Sequence, residues 1–227
     1  NTVLGYFALQ AEDQHGRNVA IGWRALTNQN AGADAYNVAV GYDTGKSVST
    51  GVNNILIGGL AADSLTTGSS NIAIGRDALS SEDTGSRSVA IGEGALQVQN
   101  NDANNHNIAI GHHAGHLVST GTLNTIVGGL AGDALTTGDS NVAIGYAAMG
   151  AADGSESRNV AIGYAALATM NNDASNYNTA VGYAAGESVT TGIQNAILGA
   201  SAGDALTTGS QNVVIGYEAL SAEDEHG

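Results

Sequence analysis

One short phrase recurs through this chain at nearly constant spacing, and this repetition constrains the fold more than any other feature. The phrase reads NVAIGWRAL from Asn18, NIAIGHHAG from Asn107 and NVAIGYAAL from Asn159. Thirteen coils of 16 to 19 residues begin at Asn1, Asn18, Asn37, Asn54, Asn71, Ser88, Asn107, Asn124, Asn141, Asn159, Asn178, Asn195 and Asn212. A period below 20 residues is typical of a solenoid, in which stacking of neighbouring coils supplies the core.

A longer period of about 70 residues is superimposed on the short one, because four coil types follow one another in a fixed order. The first type has an acidic tail and the second an Asn-rich loop, while the third and fourth end in Thr-Gly turns. Three cycles, 1–70, 71–140 and 141–211, are followed by an extra coil at 212–227. Since no linker interrupts them, we predict a single β-solenoid segment over 1–227.

Each phrase has the residue pattern of a short β-strand. Val160 and Ile162 lie at alternate positions, with Ala161 between them on the other face. Branched residues at a period of two favour strands, whereas leucine-rich repeats are longer and contain more leucine, and helical repeats are longer still. We therefore predict an all-β fold, a parallel β-solenoid, with a second short strand through the segment GYAAL.

Two nearly invariant positions have physical explanations. The fourth residue after every start is glycine, which takes positive φ and tolerates close backbone contact in a sharp turn. The starting residue is asparagine in all coils but the one at Ser88, and stacked asparagines can form a ladder of hydrogen bonds. Alternatively, asparagine merely tolerates the turn. The glycines are Gly5, Gly22, Gly41, Gly58, Gly75, Gly92, Gly111, Gly128, Gly145, Gly163, Gly182, Gly199 and Gly216.

Composition and charge exclude several classes of partner and site. With 33 Gly, no Pro, one Phe and one Trp in 227 residues, the core must consist of thin layers of Ala, Val, Ile and Leu. The formal net charge of −15 repels phosphate backbones and anionic lipid, so we expect no nucleic-acid partner. No apolar run approaches the length of a membrane span, so we expect no membrane insertion by this segment. Without cysteine there is neither a disulfide nor a thiolate metal site.

Acidic residues of the first coil type recur only in every fourth coil. They are Glu12, Asp13, Glu82, Asp83, Glu223, Asp224 and Glu225. At about 4.8 Å per coil these groups lie about 19 Å apart, beyond the screening length of about 8 Å. We therefore predict solvated loops and no calcium site. Asp63, Asp133 and Asp204 lie just before Leu-Thr-Thr-Gly turns and are predicted to satisfy turn amides.

Three histidines of one coil, His112, His113 and His116, come closest to a set of metal ligands. The other two coils of the third type, here called its sister coils, share no such set. At these positions they have Tyr42, Asp43 and Lys46 in one coil and Tyr183, Ala184 and Glu187 in the other. We therefore predict surface histidines, with no metal ion and no cofactor.

Aromatic residues follow the invariant glycine in seven coils and form a broken column. They are Tyr6, Trp23, Tyr42, Tyr146, Tyr164, Tyr183 and Tyr217. The column either covers an interface between chains or contacts a ligand such as a sugar. For the second interpretation the candidate contact residues are Trp23, Tyr42, Tyr146, Tyr164 and Tyr183.

We predict no catalytic residues and no enzyme, because a stacked repeat does not bring a nucleophile, a base and an oxyanion donor together in one pocket.

The phrase N-x-A-[IV]-G-x-x-A resembles the head repeat of YadA-like trimeric autotransporter adhesins. NVAIGYAAL with TTG turns is also similar to the repeats of bacteriophage tail-fibre and related bacterial fibre proteins. The resemblance covers all thirteen coils. It implies a left-handed parallel β-roll, three chains around a fibre axis, and an extracellular location on a virion tail fibre or a bacterial cell surface.

Apolar residues on both faces of the first strand support a trimer independently of the resemblance. In the fourth coil type Leu56, Ile126 and Ile197 replace the usual Ala of that strand. A monomer would leave an apolar stripe on its outside, and such a stripe typically marks an interface. We expect the structural shaft or head segment of a homotrimeric fibre for host or surface attachment. The alternative is a module that binds a carbohydrate or receptor through the Asn-rich loops or the aromatic column.

Overall fold

The computed structural model describes residues 1–12 and 15–221, and the regular structure in these residues consists of short parallel β-strands without a helix. Each copy of the repeated phrase contributes one strand of three residues. The strands are β1 Thr2–Leu4, β2 Val19–Ile21, β3 Val38–Val40, β4 Ile55–Ile57, β5 Ile72–Ile74, β6 Val89–Ile91, β7 Ile108–Ile110, β8 Thr125–Val127, β9 Val142–Ile144, β10 Val160–Ile162, β11 Thr179–Val181, β12 Ala196–Leu198 and β13 Val213–Ile215. The chain is therefore an all-β parallel β-solenoid, which confirms the sequence prediction.

The chain forms two compact units, Asn1–His113 and Ala114–Gly227. In the first unit strands β1 to β7 pair in sequence order, each parallel to the next. In the second unit strands β8 to β13 pair in the same way. The register places equivalent residues of the repeat opposite each other, as with Ala20 and Ala39. The prediction of one segment over 1–227 stays a prediction.

In strands β2 to β13 the middle residue points into the core and its two neighbours point away from it, whereas in β1, the first strand, Val3 exposes 47% of its surface. Leu56 is fully buried, whereas Ile55 and Ile57 on either side expose 39% and 37% of their surface. Ala20 and Ala161 are fully buried at the same position of their own coils. This alternation follows from the period of two in a strand. The core of each unit is accordingly thin and consists largely of alanine and leucine.

The larger middle residues of the fourth coil type fill space that glycine leaves in the preceding coil. A Cβ atom added to Gly45 would lie 2.5 Å from Leu56 Cδ1, and one added to Gly186 would lie 2.8 Å from Ile197 Cδ1. Close packing of the interior therefore pairs a small residue with a large one on successive coils. This complementarity explains why a coil of the fourth type follows a coil of the third type in each unit.

The invariant glycine after each strand meets both conditions that the sequence analysis proposed for it. Its φ angle lies between 125° and 147° in every coil, a region that side-chain-bearing residues rarely adopt. In addition, a Cβ atom on Gly163 would lie 2.0 Å from the carbonyl oxygen of Gly182 in the next coil. Only a residue without a side chain allows two coils to approach this closely.

The asparagines at the coil starts form the predicted ladder. The Asn159 N–H group donates to Asn141 Oδ1, and the Asn178 N–H group donates to Asn159 Oδ1, both at 3.0 Å. Asn178 Nδ2 also donates to the carbonyl oxygen of Gly192 at 2.8 Å. These three asparagine side chains are buried, so the hydrogen bonds offset the cost of removing their amides from water. Asparagine is thus a structural link between coils.

The prediction of a second strand through the segment after each glycine is wrong. These residues form turns, in which two positions per coil take left-handed backbone conformations. Arg24 and Leu26 have φ angles of 53° and 50°, and Ala165 and Leu167 have 51° and 50°, whereas strands require negative φ. Hydrogen bonds between coils hold the turns, as in the Leu26 N–H donation to the Thr44 oxygen at 3.1 Å.

Candidate functional site

The outward-pointing first and third residues of the strands form an exposed apolar surface in each unit, here called the outer strand face. In the first unit Ile108 and Ile110 each expose 38% of their surface, similar to the two isoleucines of β4. In the second unit Leu198 exposes 51%. Contiguous apolar surface on a folded chain is typical of a region that another molecule covers.

The aromatic column is present in both units as stacks of half-exposed rings. In the first unit the rings of Tyr6 and Trp23 lie 4.7 Å apart with an interplanar angle of 29°. In the second unit Tyr146 and Tyr164 are separated by 5.6 Å at 14°, and Tyr164 and Tyr183 by 5.1 Å at 8°. The coils therefore bring the predicted residues Trp23, Tyr146, Tyr164 and Tyr183 into stacks, and Tyr42 lies exposed in the same column.

Stacking limits how the column can meet a ligand. Tyr164 has a neighbouring ring on each face, so it offers its edge and hydroxyl group to solvent. An approaching sugar C–H group prefers the electron-rich face of an aromatic ring over its edge. Beyond Tyr183 the next coil has only the methyl group of Ala200, and beyond Tyr42 it has Gly59. Ring faces suited to a sugar are consequently found at the ends of the stacks.

A chain of ion pairs links three coils of the first unit. The buried carboxylate of Asp43 accepts a hydrogen bond from Arg24 Nε at 2.7 Å, which raises the pKa of that guanidinium. Lys46 Nζ lies 3.9 Å from Asp43 and 2.9 Å from Asp63 in the next coil. Asp63 therefore contacts a lysine of the preceding coil, and the predicted contact with amides of its own turn is not made.

Glu82 is fully buried, which corrects the prediction that the acidic residues of the first coil type all lie in solvated loops. Its Oε1 atom accepts a hydrogen bond from the Gly85 N–H group at 2.7 Å, and Oε2 accepts from Gln99 Nε2 at 2.9 Å and Asn105 Nδ2 at 3.0 Å. Half-buried Glu12 similarly accepts from a turn N–H group. The Glu82 carboxylate can be buried because its oxygens accept hydrogen bonds from Gly85, Gln99 and Asn105. Asp13, Glu223, Asp224 and Glu225 lie outside the described residues.

The burial of Glu82 predicts a pH dependence of stability. Desolvation raises the pKa of its carboxyl group above the ordinary value, although hydrogen bonds from Gln99 and Gly85 act in the opposite direction. The folded chain then binds this proton more tightly than the unfolded chain. The resulting stabilisation is complete below the ordinary pKa near 4.5 and is lost as pH rises through the raised value. Glu82→Gln should abolish this part of the pH dependence.

The measurement for Glu82 is urea unfolding of the parent and Glu82→Gln at several pH values between 4 and 7. We expect the free energy of unfolding of the parent, relative to the variant, to fall as pH rises. Exposed Glu187→Gln is the control for the change in net charge. Parallel pH profiles for the parent and Glu82→Gln would contradict the assignment.

Glu93, His112 and His113 lie together in the first unit. One ligand atom from each can be chosen so that all three lie within 4.8 Å of one another. The two imidazole rings stack with their centroids 4.1 Å apart, and Arg76 pairs with the Glu93 carboxylate. His116 is not part of this group. Glu93 was not among the predicted candidates, although it occupies the same repeat position as His112 in the preceding coil.

A second group, Asp153, Glu156 and Asp173, brings three carboxylates within the same distance in the second unit. Glu156 is buried, and its oxygens accept hydrogen bonds from the N–H groups of Gly154 at 3.0 Å, Asn172 at 3.0 Å and Asp173 at 3.1 Å. These bonds explain Glu156 as a loop-stabilising residue. No sequence pattern pointed to this group, because its members come from neighbouring coils of different length.

Surface hollows among the described residues include one at the last strand and one between two coils of the first unit. One is lined by Asn212, Val213, Val214, Ile215, Ala219 and Leu220, and the other by Arg24, Thr27, Asn28, Lys46 and Ser47. In the second hollow both cations belong to the ion pairs with Asp43 and Asp63. The polar character of that hollow is therefore accounted for by contacts between coils.

Comparison with known proteins gives no relative. No protein-family model, curated protein or solved structure matches this chain. Among the described residues no helix has the length and hydropathy of a membrane span.

Proposed function

We propose that this chain is a structural shaft or head segment of a homotrimeric fibre, either a phage tail fibre or a bacterial surface adhesin, that provides reach and display for host or surface attachment. Its place is then extracellular. The observation that carries the proposal is the outer strand face, where isoleucines such as Ile108 and Ile110 remain exposed. Three chains packed on this face would remove it from water, which is the dominant favourable term in association.

The layered architecture supports a mechanical role. Within each unit every coil adds an equivalent set of hydrogen bonds, such as the steps of the asparagine ladder at Asn159 and Asn178. Stability in such a repeat is approximately the sum of contributions from each coil and its neighbours. A segment of this kind lengthens without needing a new core, which suits a shaft.

Recognition of a cell-surface glycan or protein receptor is the second candidate function. The exposed rings of the aromatic column favour it, in particular Tyr183 at the end of the second-unit stack and Tyr42, which is exposed in the first unit. The Asn-rich loops 100–106 and 171–177 support it less, because Asn105 and Asn176 are buried within them. These asparagines contribute to the interior and are not available to a ligand.

The trimer is tested by sedimentation equilibrium of the chain at micromolar concentration. We expect a mass three times the chain mass of 22.5 kDa. Ile110→Lys places a charge on the outer strand face and should dissociate the trimer while the chain remains folded by circular dichroism. Val98→Lys is the matched control, since Val98 has a similar exposure of 37% but lies outside the strands.

Two outcomes would contradict the trimer. One is a monomeric mass for the parent protein. The other is the same mass for Ile110→Lys and Val98→Lys. A monomer whose binding to immobilised glycans is lost in Tyr183→Ala would instead support the second candidate function.

A further inference from the structure

We propose that Glu93, His112 and His113 form a binding site for a divalent transition-metal ion of the Zn²⁺ class. The three side chains come from two successive coils of the first unit. Glu93 and His112 occupy the same repeat position, five residues after their coil starts, and His113 follows directly. Stacking of the coils therefore brings a carboxylate next to two imidazoles, and their ligand atoms lie within 4.8 Å of one another.

The donor set determines which class of metal fits. Two imidazole nitrogens and one carboxylate oxygen suit Zn²⁺ and neighbouring transition metals, whereas Ca²⁺ requires six to eight oxygen ligands. Ligand bonds of about 2.0–2.2 Å place tetrahedral ligand atoms about 3.4 Å apart. The imidazole rings of His112 and His113 are stacked at an interplanar angle of 13°, so metal binding requires that one ring rotate out of the stack. Glu93 and His112 are exposed and have room for this rotation. Three protein ligands leave a fourth position open for water or another donor.

Arg76 supports the arrangement from the preceding coil. Its guanidinium group binds Glu93 Oε1 and also lies 3.1 Å from Asp77 Oδ2. This pairing orients the carboxylate and leaves Glu93 Oε2 for the metal, as a hydrogen-bonded outer partner commonly does in metal sites. The charge of Arg76 opposes a cation locally, but the net charge of −15 on the chain attracts one.

The sister coils show which substitutions this fold accepts at the two histidines. Their residues are Tyr42 and Asp43 in one coil and Tyr183 and Ala184 in the other. Asp43, His113 and Ala184 share a left-handed backbone, with φ of 53°, 54° and 51°. The double variant His112→Tyr, His113→Ala therefore reproduces a pair that the chain already contains, and it removes two ligands without introducing a new conformational requirement.

The test is equilibrium dialysis of the full chain against ZnCl2, with the bound metal quantified. We expect one saturable Zn²⁺ site per chain, and at least tenfold weaker binding in His112→Tyr, His113→Ala. Glu93→Gln should also weaken binding. His106→Tyr is the matched control, because Tyr36 and Tyr177 occupy its position in the other two coils of the second type; it should bind Zn²⁺ like the parent. CaCl2, dialysed in the same way, should bind at least tenfold more weakly than ZnCl2.

Absence of saturable Zn²⁺ binding in the parent would overturn the proposal, as would unchanged binding in the double histidine variant. Binding lost equally in His106→Tyr would also overturn it, because it would indicate general surface binding. If the double variant fails to fold by circular dichroism, Glu93→Gln decides: weaker binding in that variant supports the proposal, and unchanged binding overturns it. The proposal does not depend on the trimer, because all three ligands belong to one chain.

Discussion

Replacing Gly163 by valine is expected to destabilise the second unit by more than about 4 kcal/mol, which is exceptional for one substitution. Gly163 has a φ angle of 140°, and a Cβ atom there would lie 2.0 Å from the Gly182 oxygen and 2.6 Å from its carbonyl carbon. Both contacts are with backbone, so no side-chain rotation relieves them. The coils would have to separate, which breaks the hydrogen bonds on either side of the glycine.

The measurement is urea and thermal unfolding of Gly163→Val beside two controls. Gly59→Val tests valine at a glycine with no atom within 4 Å of its added Cβ. Glu187→Ala tests an exposed side chain of the second unit. Both should change stability far less, and Glu187→Ala by no more than about 0.5 kcal/mol. Equal, small effects of Gly163→Val and Gly59→Val would show that the invariant glycine does not serve close contact between coils.

Removing residues 18–87, one full four-coil cycle, is expected to leave a chain that folds with a melting temperature close to that of the parent. The deletion joins Arg17 to Ser88, and Arg87 precedes Ser88 in the intact chain. Contacts across the new junction are equivalent to existing ones. The Leu9 N–H group donates to the Ala25 oxygen at 2.9 Å, just as Leu79 donates to Ala95 at 3.0 Å.

Removing residues 54–70 alone is expected to be more harmful, although it deletes only one coil. The third coil type would then lie against the first, with Ala73 in the place of Leu56. The space beside Gly45 that the Leu56 side chain fills would remain open. Loss of a buried leucine to alanine typically costs about 2–5 kcal/mol, so we expect a clearly lower melting temperature.

Circular dichroism melting curves of the two deletions test the role of the four-coil cycle. Nearest-neighbour energetics predict that the longer deletion is the milder one, because every remaining coil keeps an equivalent partner. If the 70-residue deletion aggregates while the single-coil deletion melts like the parent, the four-coil cycle is not the structural unit. The longer period would then require an explanation in recognition.

The sequence by itself determined the solenoid, the register within each unit and the role of the invariant glycine, and it offered the ladder as one of two roles for the asparagine at the coil starts. Each coil contacts equivalent coils, so a repeated residue becomes a repeated contact. Glycine at the fourth position after each coil start therefore predicted the close approach seen between Gly163 and Gly182. Asparagine at the starts likewise predicted the ladder that joins Asn141 to Asn159.

Only the tertiary structure decided the path of the chain after each strand and the fate of individual polar residues. The left-handed conformation of Leu26 costs a side-chain-bearing residue about 1–2 kcal/mol, so local propensity argues against it. Its hydrogen bond to Thr44 and its complete burial offset that cost, and both exist only once the coils are stacked. The burial of Glu82 and the proximity of Glu93 to His112 could not be predicted from the sequence for the same reason, because their partners lie in other coils.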